Sequence, residues 1–338
     1  MSIKGLQNIS DINCSYKTSL GACFCGDSRL LLKGIKENSV DLVVTSPPFA
    51  LLRTKSYGNV LQDEYVSWLE EFAIEVKRVL KPTGSFVLDL GGAYQRGSPV
   101  RSLYNYQVLI RFCTELGFHL AEEFFWYNPS KLPSPIEWVN KRKIRAKDSI
   151  NTVWWFSKTE HPKADVRNVL TPYSDRMKSL IKNQAKYYTP ALRPSGHNIS
   201  AKFGNDNGGA IPSNLLQIPN SESNSSYLRL SKELEIKSHP ARFPAKLPEF
   251  FIKFLTDRGD LVVDIFSGSN TTGEVCERLG RQWLSFDNDM SYVTNSSLRF
   301  IDPGYKDKRL ILEKIKKNEC VDLSKLEAQQ ELMGISEI

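Results

Sequence analysis

Apolar residues in this chain fall into short blocks of two kinds, one running continuously and one spaced at helical intervals. The continuous blocks are Gly21–Gly26, Val40–Thr45, Ser85–Leu90, Glu123–Tyr127, Thr152–Ser157, Leu261–Phe266 and Gln282–Phe286. Short apolar runs bounded by polar turns are strand signals. Tyr65, Trp68, Leu69, Phe72, Val76, Val79 and Leu80 recur at helical spacing and predict a helix over Tyr65–Leu80, stopped by Lys81-Pro82-Thr83-Gly84. Further helices are expected over Arg29–Lys36 with Ser28 as its cap, Tyr104–Leu116, Glu249–Thr256, from the turn at 267–273 to Leu279, and Tyr292–Phe300. Strands alternating with helices predict an α/β fold with a mostly parallel sheet covered on both faces.

Between 160 and 237 this regularity fails, and Pro, Gly, Asn and Ser dominate. A stretch that long without pattern is functional or an inserted small domain. The expected layout is therefore 1–159 as a first part of one domain, 160–237 as an insert, 238–300 as its second part and 301–338 as a tail. A weak amphipathic pattern at Leu310–Ile315 makes that tail a packing helix or an arm. The polar, glycine-containing run 51–60 reads as a mobile loop.

The run Asp41-Leu-Val-Val-Thr-Ser-Pro-Pro-Phe-Ala50 changes the picture most. Proline cannot continue a ladder, so the strand stops at the two prolines. Each residue before a proline is held extended. Ser46 is thus displayed at a carboxyl strand end, the rim where open α/β sheets bind ligands. The Ser46 hydroxyl, the Pro47 carbonyl, Pro48 and the Phe49 ring suit a flat base with an exocyclic amine. A proline-rich turn with a packed phenylalanine has the same local sequence.

A second strand-to-turn block, Val263-Asp-Ile-Phe-Ser-Gly-Ser-Asn-Thr-Thr272, opens a helix. Small residues let a ligand approach the backbone, and helix N-terminal amides favour an anionic group. Asp287, closing the following strand, is placed to hold both hydroxyls of a ribose. The block reads as a nucleoside-type cofactor site. The G-x-G-x-x-G pattern of dinucleotide sites and the Walker A pattern are both absent.

Charge adds a partner. The 338 residues carry a formal net charge of +7. From Lys131 to Lys202 there are 15 Lys/Arg and 5 Asp/Glu, while the rest of the chain holds 30 basic and 33 acidic residues. A concentrated basic stretch is the footprint of a nucleic-acid binder. Lys141, Arg142, Lys143 and Arg145 are candidates to grip phosphates, and Arg176 and Arg193 to reach base edges. The six cysteines are scattered without a metal-ligand set, so no metal is expected, and a reducing cytoplasm is the expected compartment. No apolar run is long enough for a membrane span, and the N-terminus lacks a signal-peptide stretch.

Ser-Pro-Pro-Phe after one strand and Asp-Ile-Phe-Ser-Gly-Ser-Asn-Thr-Thr-Gly after another together resemble the DNA amino-methyltransferases. The order, with the catalytic motif first, the basic insert next and the cofactor motif last, is similar to their β group. The likeness runs from about Ser15 to Phe300. It implies a permuted, Rossmann-like methyltransferase fold using S-adenosylmethionine on duplex DNA. By position, it implies a catalytic pocket of Ser46, Pro47, Pro48 and Phe49. It also implies a cofactor site of Asp264, Phe266, Gly268 and Asn270, with Asp287 on the ribose and Phe243 and Pro244 near the methionine end. Asn270 departs from the family's Phe-x-Gly-x-Gly, and a side chain there is expected to narrow the pocket. Ser at the first motif position is typical of cytosine-N4 enzymes, with adenine-N6 transfer and a catalytically silent DNA-binding protein as alternatives. Segments 127–145, 171–178, 193–197 and 239–251 resemble one cytosine-N4 member closely, which implies the DNA site CAGCTG. A monomer is expected, with a cognate restriction endonuclease as a system partner that it need not touch.

Overall fold

The structure is a computed structural model that describes residues 14–50, 61–183, 205–220 and 225–326. The chain divides into two compact units, 1–163 with 214–338, and Ala164–Ser213. The expected insert of 160–237 overlaps the smaller unit, and its part from Asn214 onward belongs to the larger one. The expected loop at 51–60 and Arg193 lie outside the described residues.

The larger unit is built on one mixed sheet of ten strands among the described residues. They are β1 (Tyr16–Lys17), β2 (Gly21–Cys25), β3 (Val40–Thr45), β4 (Leu80–Leu90), β5 (His119–Tyr127), β6 (Ile150–Ser157), β7 (Leu215–Gln217), β8 (Leu261–Asp264), β9 (Gln282–Asp287) and β10 (Val321–Asp322). Their order is β10-β1-β2-β9-β8-β3-β4-β6-β5-β7. From β2 to β4 every pairing is parallel, as expected. Beyond β4, strand β6 is the exception: it runs antiparallel to β4 and β5, while β5 keeps the sense of β4 and pairs parallel with β7.

Helices α1 (Ser28–Lys33), α2 (Gln62–Val79) and α3 (Tyr104–Thr114) share one buried cluster with Val43, Phe86, Leu88, Trp154 and Phe156. The α2 face is the one the spacing predicted, with Tyr65, Leu69, Phe72, Val76 and Val79 buried. On the opposite side of the sheet α6 (Lys246–Leu255) sets Phe254 edge-on to Trp155 and Phe251 edge-on to Phe124. The cap of α1 is Asp27, whose side chain accepts from Arg29 N, and not Ser28. Ser28 instead donates its hydroxyl to the Ile265 carbonyl at 2.6 Å.

Two shorter helices, α5 (Ser226–Glu233) and α8 (Met290–Ser296), complete the larger unit before the tail, which resolves as a packing helix, α9 (Lys308–Lys316), with Ile311, Leu312 and Ile315 buried. Beyond it β10 lies parallel to β1, and Cys14 and Cys320 form a disulfide. Among the described residues no helix is long and apolar enough to cross a membrane. In the smaller unit, α4 (Asp175–Lys182) is capped by Ser174, and a bridge joins Thr171 to Ala210.

Candidate active site

Strands β3 and β8 are neighbours, and the chain leaves β3 towards β4 and β8 towards β9, in opposite directions at the carboxyl rim. That arrangement opens a crevice between the two loops. The loops are those of the two motifs singled out above: Ser46–Phe49 after β3 and Ile265–Ser269 after β8. They line a single cavity of about 390 Å³ together with Trp68, Phe72, His239, Arg242, Phe243 and Asp287.

The floor is fixed by a buried carboxylate. Asp264, at the end of β8, accepts from the hydroxyls of Thr45 at 2.7 Å and Thr272 at 2.6 Å, and from Phe266 N at 3.2 Å. These bonds tie both loops and the start of α7 (Thr271–Leu279) to one point. Asp264 itself does not line the cavity.

At the catalytic end, the Ser46 hydroxyl donates to Asp89 Oδ2 at 2.9 Å, and Asn151 Nδ2 donates to Asp89 Oδ1 at 3.2 Å. Burial pushes the Asp89 carboxyl up to about 6, against the lowering effects of Ser46, Asn151 and the Lys131 charge. The Pro48 carbonyl is taken by Tyr65 OH at 2.8 Å. The Phe49 ring lies against Gly91, where a Cβ would stand 2.5 Å from a ring carbon, so only glycine leaves room for it.

At the other end the turn is held open by its backbone. Gly268 has φ +49, and its N–H donates to Asp287 Oδ2 at 2.8 Å. A Cβ there would press on the His239 imidazole at 3.1 Å. Burial pushes Asp287 up to about 6. Burial also lowers His239 to about 4, so its ring is neutral at neutral pH. Trp68 and Phe72 pack on Phe266 at 5.6 and 4.9 Å and give this end an apolar wall.

Asn270 sits in the left-handed region at φ 53 and caps α7. Its Oδ1 accepts from Gly273 N and Ser285 Oγ, and its Nδ2 donates to Tyr16 OH. The side chain is fully buried beneath the turn and takes no space from the cavity. The expected narrowing is therefore absent. Pro244 also stands off the cavity wall; its carbonyl accepts Leu247 N at the start of α6. Ser46, Pro47, Pro48, Phe49, Phe243, Phe266, Gly268 and Asp287 are brought together as expected. The sequence reading missed Asp89, Asn151, Trp68, Phe72, His239 and Arg242. Asp89 had a readable signal, a carboxylate set inside the apolar run Phe86-Val-Leu-Asp-Leu90. Charges so placed are rarely buried without a task.

The basic candidates of the larger unit do not line the cavity. Lys141, Arg142, Lys143 and Arg145 are exposed on the excursion from β5 to β6. Glu137 pairs with both Lys141, at 3.4 Å, and Arg142, at 3.0 Å, and Arg142 also covers the Trp138 ring. Arg145 Nε donates to the Pro99 carbonyl. Arg176 is exposed on α4 in the smaller unit.

Comparisons with known proteins agree with this layout. The DNA methylase family of N6 and N4 methyltransferases matches residues 40–297. The type II methyltransferase M.PvuII of Proteus hauseri is 59% identical over 314 residues, which is 92% of this chain and 94% of that protein. The solved structure of the PvuII DNA methyltransferase (cytosine-N4-specific) superposes with a TM-score of 0.77 at 52% identity, covering 93% of this chain and 98% of that one. TTHA0409 of Thermus thermophilus, complexed with S-adenosyl-L-methionine, shares the fold at 18% identity and a TM-score of 0.50, covering 89% of this chain and 97% of its own. With two strand-end motifs on one cavity, and a match of this length and identity, the chain belongs to the DNA methylase family of N6 and N4 methyltransferases.

Proposed function

We propose that this chain is a site-specific DNA methyltransferase that moves a methyl group from S-adenosylmethionine to the N4 amine of a cytosine flipped out of duplex DNA. The observation that carries this reading is the Ser46–Asp89 hydrogen bond, at one end of the cavity whose other end is the Phe266–Ser269 turn and Asp287. The cytosine-N4 choice is supported by the solved relative of that specificity.

The residues present fit the cofactor. Two buried polar atoms without a partner among the described residues, Ser267 Oγ and Arg242 Nε, belong to residues of the cavity wall. Arg242 suits the carboxylate of a methionine group. Asp287 suits two ribose hydroxyls, and Trp68, Phe72 and Phe266 suit a flat purine. Phe243 lies at the methionine end, while Asp264, Asn270 and Pro244 act by holding the turn and the neighbouring helix. S-adenosylmethionine supplies an electrophilic methyl group on a sulfonium.

An exocyclic amine is a poor nucleophile because its lone pair is delocalised into the ring. Ser46 gives its proton to Asp89, so its oxygen lone pairs face the guest and accept an amine N–H. The Pro47 carbonyl accepts the other, since the Pro48 carbonyl is already engaged by Tyr65. Both bonds favour a pyramidal nitrogen. When the nitrogen gains its methyl group and a positive charge, its proton passes to Ser46 Oγ as the Ser46 proton passes to Asp89. Phe49 offers a face on which the extruded base stacks.

The chain acts on double-stranded DNA as a monomer in the cytoplasm, as the modification partner of a restriction endonuclease. CAGCTG is the proposed site. Methylating a duplex with that site and hydrolysing it to nucleosides tests the reading, with N4-methylcytosine expected. N6-methyladenine would move the assignment to the adenine branch, and binding without any methyl transfer would defeat it.

A further inference from the structure

The excursion between β5 and β6 carries the most exposed large apolar side chain of the described residues, Leu132 at 80%. A single exposed leucine needs no explanation by itself. Here three further observations meet on it. First, its backbone is fixed on both sides. Lys147 Nζ donates to the Pro129 and Lys131 carbonyls at 3.3 Å, Asp148 N donates to the Ser134 carbonyl at 3.0 Å, and Asn128 N donates to the Ser149 carbonyl at 2.9 Å. Pro129, Pro133 and Pro135 stiffen the same stretch. Leu132 is thus presented, not left loose.

Second, the loop rises from the catalytic rim. Leu90 of β4 pairs with Thr152 of β6, which pairs with Phe125 of β5, so Tyr127 ends β5 on the same side as Asp89 and Ser46. Asn151, bonded to Asp89, is the partner of Trp126 in the β5–β6 ladder. Lys131, next to Leu132, stands close enough for its charge to act on Asp89. Third, the surroundings suit a polyanion. Lys131, Lys141, Arg142, Lys143, Arg145 and Lys147 all belong to this excursion.

A duplex held on that surface places its stack beside the cavity mouth. Extruding a base leaves a gap between its neighbours, and proteins that open a stack insert apolar side chains into it. We propose that Leu132 is the wedge that enters the duplex and fills the space vacated by the target cytosine. This rests on the DNA methyltransferase reading above.

The test compares two duplexes that differ opposite the target. In one the cytosine is paired with guanine; in the other it faces an abasic site, where extrusion is already easy. Leu132→Ala should lower kcat/KM at least about tenfold on the paired duplex and less than about threefold on the abasic one. Leu132→Met should restore most of the loss. Binding of S-adenosylhomocysteine by Leu132→Ala, equal to wild type, confirms an intact fold. Equal losses on the two duplexes, or none on either, would overturn the wedge. If wild type methylates neither, the DNA reading falls and the wedge falls with it; methylation by wild type with indifferent Leu132 variants removes the wedge alone.

Discussion

Three aspartates stand near the carboxyl ends of β4, β8 and β9, and their partners separate their tasks. Asp264 is filled by two hydroxyls and an amide and works as a brace. Asp287 accepts from Gly268 N and Asp289 N and faces the cavity. Asp89 is bonded to the hydroxyl proposed to meet the substrate. Burial lifts the Asp89 carboxyl from 3.8 to about 6, so the folded state favours its neutral form. Stability from this group is complete below 3.8, declines as pH rises to about 6, and stays at its lower value above. At neutral pH the ionised group costs up to about 3 kcal/mol. Asp89→Asn should therefore raise the melting temperature at pH 8 while cutting methyl transfer at least about 10²-fold. Calorimetry and a tritium-transfer assay read both sides of that exchange. The wild-type rate should fall as pH drops through about 6, where Asp89 takes its own proton. Ser46→Ala should lose most turnover with cofactor affinity kept. Asp287→Ala should do the converse, weakening S-adenosylmethionine binding at least about tenfold through lost charge-assisted hydrogen bonds, as isothermal calorimetry can show. The motif residues were legible because proline and glycine impose backbone geometry that sequence displays. Asn151 was not, since an asparagine opening an aromatic strand carries no sign of which carboxylate it will meet.

Among the elements, the start of α7 shows how a side chain can replace a glycine. A left-handed N-cap is open to asparagine, whose amide bonds locally. In return Asn270 satisfies Gly273 N, Ser285 and Tyr16. Asn270→Ala keeps the strained φ and takes the partner from Gly273 N and from the Ser285 hydroxyl, while Tyr16 OH keeps Ser296, for a loss of about 2–4 kcal/mol. Asn270→Gly relieves the strain and should lose less. Urea unfolding of the two variants gives the order, and a reversed order would remove the conformational argument. Helices and central strands were readable from periodicity, because burial on one face or on two imposes it directly. The reversed sense of β6 against β4 and β5 was not. Both blocks look like buried strands whichever way they run, and residues 128–149 between them are long enough for either a crossover or an antiparallel return.

At the scale of the whole molecule, the proposed DNA contact is electrostatic and should respond to salt. Each phosphate neutralised contributes about −0.9 to the slope of log affinity against log salt. Lys143→Ala should flatten the slope by about that amount on any sequence. Glu137→Gln, which frees Lys141 and Arg142 from their shared carboxylate, should steepen it. Fluorescence anisotropy across a salt series distinguishes these outcomes, and an unchanged slope in both variants would take DNA away from this surface.

Strands β1 and β10 lie side by side, with Tyr16 opposite Val321 and Lys17 paired to Asp322 at 3.4 Å. The first and last strands of the described residues therefore meet, and the order in which the motifs are read depends on where the chain is opened. Joining Ile338 to Met1 and reopening between Glu37 and Asn38, at the amino end of β3 and away from the cavity, moves every motif in the sequence and none in space. Such a protein should keep wild-type circular dichroism and methyl transfer, with Ser-Pro-Pro-Phe now close behind its new amino terminus.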